Sequence, residues 1–572
     1  METGVRSMKS KYAAILILLA FLVMPVFSQE EDTSQGVPVF GETIEVHLVP
    51  IQVLVRDGKG NPVTDLKRED FILEEDGKEQ EITHFAEVRH RQSVNVFTAG
   101  EKKQPPAEIA KEPETTPSTE ALLGERYIFY VDNVNIHPLQ RNAVLKKAQE
   151  FAKERIGNGV LGMVVTFDRS LHIQTPFTDD ASMIVNKLEE QKERTGDALV
   201  RLNDRRDLID SIKNREDRTY SYALSKVRGF AAQIHNDMQF TLSALKDYLT
   251  SIRGMEGRKV LIYISSGLPE VPAYEVFYYL GEIYPHENVF SYADFFNLRS
   301  HYKSIINTAN SAGVNLCMVD VSGLRAMGTE GAAEERYSGT DIDYTVETNN
   351  LIDPLRAMSE ETGGVAIVNT NDFAMGFKKI AETVDNYYFL GYQRTRPIED
   401  KFHKIEVSLK PKIRGARISY KKTFLEKSIH SIMGDKIIAN LIFPEDHNPL
   451  EISVTFQQPT VKEDNKEAFI LPMTVEIPFS SLNLTLKNDR HIGRIKIGIA
   501  AGDGKDRSEV IWKNHDFNIP ATAMKELEGT TFKYNLELMI GGGANIISVG
   551  VLNELDGTES YKRERVFIRP PQ

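Results

Sequence analysis

Residues 41–88 alternate apolar and polar side chains through "IEVHLVPIQVLVRDGKGNPVTDLKREDFILEEDGKEQEITHF". Period-two alternation places one face of each strand against a core and the other in solvent. "VRDGKGNPV" and "EEDGKEQEI" put Gly-rich turns between strands, so a small antiparallel β module is expected over 41–95. The Asp-Gly pairs lack the acid spacing of an EF-hand loop and read as turns. Residues 96–124 then lose the pattern in "TAGEKKQPPAEIAKEPETTPSTEALLG", which has too few apolar residues to offset its ordering entropy and reads as a linker.

From 125 to about 395, buried runs alternate with helical patterns. "RYIFYVD", "LGMVVTF", "KVLIYIS", "VNLCMVDV" and the weaker "GVAIVN" read as strands, and "SLHIQTPF" is close enough to the second to be its hairpin partner. Helical periodicity fills 138–155, 180–191, 222–252, 299–312, 350–362 and 372–385. This order predicts an α/β fold, a mostly parallel doubly wound sheet with helices on both faces. "NYYFLGYQR", "KFHKIEVSLK" and "ARISYKK" extend it with antiparallel strands to about 425. Two insertions interrupt the scheme: 191–221, dense in mixed charge and expected as solvated surface, and 270–297, rich in Tyr and Phe. Over 430–572, short segments from "KIIANLIF" to "ESYKRERVFI", with "GDGKD" and "GGGAN" as turns, predict an antiparallel β-sandwich. Gly541-Gly542-Gly543 has no following Lys-Ser or Lys-Thr and is no phosphate loop.

At 572 residues the chain exceeds one ordinary core, in keeping with three domains. Hydrophobic residues at 41% and charged residues at 26% fit folded, soluble protein. A net charge of −13 with no long basic run argues against nucleic acid. Residues 1–28 combine Arg6, Lys9 and Lys11, the apolar "AAILILLAFLVMPVF", and small Val26 and Ser28 before a cleavage point. That is a secretory signal pattern; the alternative is a retained anchor, for which the apolar stretch is short. The chain is therefore expected to be exported, periplasmic or extracellular, with no transmembrane segment after signal removal. Cys317 is the only cysteine, which excludes an intrachain disulfide, and its apolar run makes it a buried thiol.

In open α/β sheets, ligands bind beyond the carboxyl ends of the strands. Those ends carry Asp132, Asn133 and Asn135, then Asp168, then Ser265 and Ser266, then Asp320 and Ser322. Oxygen donors of this kind suit magnesium or calcium and not zinc. Asp132 is the natural first ligand. Its other reading is a carboxylate that caps a helix or accepts from loop backbone N–H groups.

The strand ending in Asp132, the following helix, the hairpin and "GRKVLIYISSGLP" resemble the von Willebrand factor A domain. "VPIQVLVRDGKGNPVTDLKREDFILEEDGKEQEITHF", "MEGRKVLIYISSGLPE" and "YYFLGYQR…FHKIEVSLK" resemble recurring segments of a secreted bacterial A-domain-related family, known mainly from Acidobacteria. The likeness spans about 41–425. It implies a von Willebrand factor A-like (Rossmann-like) sheet and a role in protein–protein contact or adhesion. Family members with a complete metal-ion-dependent adhesion site carry Asp-x-Ser-x-Ser after the first strand, a Thr from a later loop and an Asp in a Thr-Asp-Gly turn. Here Val134 and Ile136 stand at the serine positions and Ser265-Ser266-Gly267 replaces the turn. The resemblance thus implies a degenerate site. A variant cation site, if formed, would draw on Asp132, Asn135, Thr241, Ser266 and Asp320.

Without that metal, contact would fall to the edge loops and the aromatic insertion. Candidate partner residues are Asn133, Asp168, Ser265, Tyr274, Phe277, Tyr278, Tyr284, Tyr292 and Phe296, with Phe295 beside them. The alternative is that these aromatics form the private core of a helical cap. No His-Glu-x-x-His, Gly-x-Ser-x-Gly or Walker sequence is present. Pairing Ser265 or Ser266 with His137 or His286 as a hydrolase is the remote reading. The expectation is a non-catalytic binding protein with an unidentified protein partner and no cofactor, a magnesium- or calcium-dependent adhesin being the alternative.

Overall fold

The computed structural model describes residues 47–569 apart from 99–123, 325–340 and breaks of at most four residues. The expected signal at 1–28 and nearly all of the 96–124 linker lie outside the described residues. Two compact units follow one another, 42–428 and 429–572.

In the first unit a six-stranded sheet has the spatial order Ala366–Ile367, Val314–Asp320, Arg258–Ser265, Glu125–Asp132, Leu161–Phe167, Leu171–Ile173. Numbered along the chain this is 3-2-1-4-5-6 read from the hairpin edge, the doubly wound order with a switch between strands one and four. All pairs are parallel except the Leu161–Phe167/Leu171–Ile173 hairpin. Alternation along Glu125–Asp132 sends Tyr127, Phe129 and Val131 into a core with Val144, Leu145, Phe151, Ile184 and Phe377, from helices Pro138–Arg155, Ala181–Glu190 and Phe373–Asp385. Tyr130 faces the other way, stacking on Tyr263 and meeting Tyr248 of the long helix Tyr220–Ser251. Asp180 and Asp372 start two of the helices by accepting from Ser182 N (2.8 Å) and Met375 N (2.9 Å), satisfying N–H groups the helix leaves open.

The boundary between a 41–95 module and an antiparallel extension of the α/β domain does not survive in the strand pairing. Tyr387–Arg394 lies between His47–Arg56 and His84–Arg89, with Ile51 opposite Leu390 and Leu390 opposite Phe85. Phe402–Leu409 pairs with Phe71–Glu75, placing Val407 opposite Leu73. The early strands and the late ones therefore make one module of two sheets around a shared core of Val53, Phe71, Leu73, Phe85, Tyr388, Leu390 and Val407. The α/β domain is inserted into it. Each half alone would leave strands of both sheets without their hydrogen-bonding neighbours.

The two insertions also meet. Helix Ala198–Lys213, from the charged insertion, packs Leu208, Ile209 and Ile212 with Val276, Phe277 and Leu280 of helix Tyr274–Ile283. Leu224 and Val227, from the first half of Tyr220–Ser251, complete this helical lobe. The charged insertion is thus a working wall of the lobe and not only solvated surface.

In the second unit, one sheet is built on Asn465–Pro478 with Thr531–Gly541, and the other on Arg490–Gly502 with Ile511–Pro520, Gly543–Asn553 and Glu559–Ile568. Their inner faces share Leu471, Met473, Val475, Ile497, Leu538 and Val549. "KIIANLIF", expected as a strand, belongs instead to helix Ile429–Ile442. Met433, Ile437 and Leu441 recur every four residues and cover the outer face of the second sheet beside Leu552 and Tyr561.

Candidate functional site

At the carboxyl edge of the six-stranded sheet, Asp320 is in register with Ser265 and Val131 with Ile264, so Asp132, Ser265 and Asp320 form one row. All three are fully buried. Asp132 Oδ1 accepts from the backbone N–H groups of Val134 (3.2 Å) and Asn135 (3.1 Å). Its Oδ2 accepts from the Asn135 amide (2.8 Å) and the Tyr263 hydroxyl (2.5 Å). Two acceptor positions per oxygen are thereby filled by the protein itself. Burial raises the Asp132 pKa, while the Tyr263 and Asn135 hydrogen bonds and the nearby Arg201 guanidinium oppose the rise. Arg201 reaches the same loop, donating to the Val134 carbonyl (2.5 Å).

Asn135, Thr241 and Asp320 also have protein partners. Asn135 directs its N–H₂ to Asp132 and also to the Thr241 hydroxyl (3.3 Å), while Thr241 donates to the Asp237 carbonyl one helical turn back (3.1 Å). Asp320 accepts from Ser322 N (3.0 Å) and is separated from Asp132 by the whole Arg258–Ser265 strand, about 10 Å at two strand spacings. Ser266 donates its backbone N–H to the Asn135 carbonyl (2.8 Å). Asp320 therefore stands apart from Asp132, Asn135 and Thr241, which are joined to one another through the Asn135 amide. Among the described residues, three His or carboxylate ligand atoms come together only at Glu75, Asp76 and His403, in the β module.

The partner candidates separate by burial. Asn133 is 4% exposed and donates to Gln191 Oε1 (3.2 Å); Ser265 is buried and donates to the Asn135 carbonyl (3.2 Å). Phe277 is buried in the lobe core. These three are removed from the contact set, because no partner can reach them without opening the fold. Tyr274, Tyr284, Tyr292 and Phe296 are half-buried against the lobe core, and Tyr278 is half-buried beside Tyr279 and Phe290. Asp168 is exposed and pairs with His172 (2.8 Å). The surface instead carries Phe295, 78% exposed, and Phe290 from the same insertion. His137 lies outside the described residues, and His286 is exposed.

Three site residues went unnoticed in the sequence. Tyr263 lies two positions before Ser265, hence on the face that Asp132 shares, and period-two counting could have found it. Arg201 sits in the charged insertion, where nothing marks it. Arg141, at 1% exposure, donates to the carbonyls of Lys192 and Arg194 (2.7 Å each) and so closes the carboxyl end of the helical segment before them.

No protein-family model matches the chain, and no curated protein matches it either. Several solved structures do. An aerotolerance-related membrane protein from Bacteroides fragilis shares 12% identity, covering 46% of this chain and 98% of its own, at a TM-score of 0.22. A von Willebrand factor type A protein from Catenulispora acidiphila shares 8%, covering 78% and 66%, at 0.22. The three N-terminal domains of the type V pili tip protein Mfa5 from Porphyromonas gingivalis share 10%, covering 92% and 78%, at 0.24. Scores this low carry no weight for the fold, which rests on the strand order. That order defines an α/β domain of the doubly wound type.

Proposed function

We propose that this chain is an exported, non-catalytic binding protein whose A-like domain engages a protein partner without a bridging metal. One observation carries the reading: Asp132, the carboxylate that would anchor the cation, already accepts four protein hydrogen bonds. Magnesium and calcium surrender their water only to several well-placed oxygens, and the second carboxylate of this edge, Asp320, lies two strands away from Asp132. Contact then falls to the helical lobe, where Phe295 and Phe290 present apolar area of the kind that anchors interfaces. The basic-then-apolar pattern of residues 1–28 supports export. No helix among the described residues is long and apolar enough to cross a membrane.

The hydrolase alternative falls to the half-buried Ser266, since Ser265 is turned away. Ser265 is buried with its hydroxyl turned to backbone carbonyls, the reverse of an exposed nucleophile. The test is retention of envelope proteins on immobilised wild-type and Phe295→Ser chains, each with EDTA and with magnesium. Retention that survives EDTA and drops in Phe295→Ser supports the proposal. Retention that needs magnesium and disappears in Asp132→Asn contradicts it.

A further inference from the structure

The β module contains a cluster that the sheet-edge function leaves unused. His403 is 1% exposed on strand Phe402–Leu409, and its Nδ1 stands 2.8 Å from Asp76 Oδ2 and 3.1 Å from Glu75 Oε1. Those three ligand atoms lie within 4.8 Å of one another. Donors held about 2.1 Å from a shared ion stand roughly 3–3.4 Å apart, and the two Nδ1 separations of 2.8 and 3.1 Å lie close to that spacing.

The surroundings orient each donor. Asp76 Oδ1 accepts from Lys404 N (2.8 Å), which turns Oδ2 toward the imidazole. On the far side of the ring, Nε2 faces Glu426 Oε2 (3.4 Å) and Arg394 Nη2 (3.4 Å). Arg394 donates toward Nε2 and the Nδ1–H donates to Asp76 Oδ2 (2.8 Å), so an ion bound here takes the place of the Nδ1 proton between the ring and the two carboxylates, and the proton moves to Nε2, toward Glu426. A carboxylate behind a ligating histidine is the usual outer-shell arrangement. Arg394 Nη1 binds Glu426 (2.7 Å), and its Nη2 stands 3.3 Å from Glu75 Oε1, the oxygen that also faces Nδ1. Glu75, Glu426 and Arg394 are each at least 95% buried. The Asp76 side chain is 47% exposed and gives both an entry path and room for water ligands.

We propose that Glu75, Asp76 and His403 bind a divalent first-row transition ion, of the zinc or manganese class, that ties the Glu75-Asp76 turn to strand Phe402–Leu409. The imidazole donor sets this site apart from a calcium or magnesium site. The ion joins the early strands to the strands that return after the α/β insertion.

Equilibrium dialysis of the metal-stripped full-length chain against micromolar zinc or manganese, with elemental analysis, tests the proposal. One equivalent is expected in wild type and in Asp132→Asn, and less than a tenth of that in Asp76→Asn and His403→Gln. Asp76→Asn keeps an acceptor for Lys404 N, and far-UV circular dichroism checks that this variant is folded. Calcium at the same concentration should not bind. No bound zinc or manganese in wild type, equal binding in the folded Asp76→Asn chain, or calcium bound as well as zinc would each overturn the proposal.

Discussion

Asn135, three residues past Asp132, fills both oxygens of that carboxylate, one through its backbone N–H (3.1 Å) and one through its side-chain amide (2.8 Å). The loop after the first strand is therefore closed upon its own acid. Removing Asp132 leaves two backbone N–H groups, an amide and the Tyr263 hydroxyl without their acceptor, at roughly 1–3 kcal/mol for each donor that stays dry. Asp132→Ala is expected to lose about 3 kcal/mol or more of unfolding free energy, and Asn135→Ala about 1–2 kcal/mol. Urea denaturation with and without magnesium checks both, with the losses expected to be the same in either buffer.

The helical lobe separates a packing aromatic from a surface one. Phe277 is buried among Val276, Leu280, Leu224 and Val227, whereas Phe295 is 78% exposed. Phe277→Ala should cost about 3–5 kcal/mol in chemical denaturation. Phe295→Ser should stay within about 0.5 kcal/mol of wild type. Only the second is informative about binding, since it alters the surface without disturbing the core.

Lys259 is 3% exposed, and burial, with Lys421 and Arg126 nearby, lowers its pKa to about 7. Unfolding returns the ammonium to water and a pKa of about 10.4, so the unfolded chain holds more protons between those values. Stability contributed by this group therefore rises with pH from about 7 toward 10, with a slope approaching 1.4 kcal/mol per pH unit. Below about pH 7 both states are protonated and the burial cost is constant. Urea midpoints at pH 7, 8 and 9 should climb in wild type and climb less in Lys259→Met.

In the C-terminal unit, Gly498 and Gly550 are cross-strand partners beneath Ile437. A Cβ on Gly498 would stand 2.4 Å from Ile437 Cδ1, and one on Gly550 2.8 Å from Ile437 Cγ1. Helix Ile429–Ile442 can approach only because both positions lack side chains. Gly498→Ala should destabilise this unit by about 1–3 kcal/mol through overpacking. Combined with Ile437→Ala it should cost less than the sum of the two single changes. Thermal unfolding of the four chains measures that coupling.

The sequence made the α/β alternation legible because fully buried parallel strands read as continuous apolar runs, as in "KVLIYIS" and "RYIFYVD". It also marked Val134 and Ile136 as positions that cannot hold a cation. Pairings across long separations were not legible. The partnership of His47–Arg56 with Tyr387–Arg394 spans the whole inserted domain, and period-two alternation carries no information on which strand lies alongside. "KIIANLIF" misled through its β-branched residues, although Met433, Ile437 and Leu441 already carried the helical period. Phe277 and Phe295 share a residue type and an insertion, and only the packing of Ala198–Lys213 over one of them decides which is surface.

Melting of wild type and Asp132→Asn across a magnesium and calcium series tests the metal-independent edge most directly. Both chains should melt at temperatures unchanged by either ion. A rise with magnesium or calcium in wild type that is lost in Asp132→Asn would contradict the account, because a site one hundredfold saturated adds about 2.7 kcal/mol to the folded state.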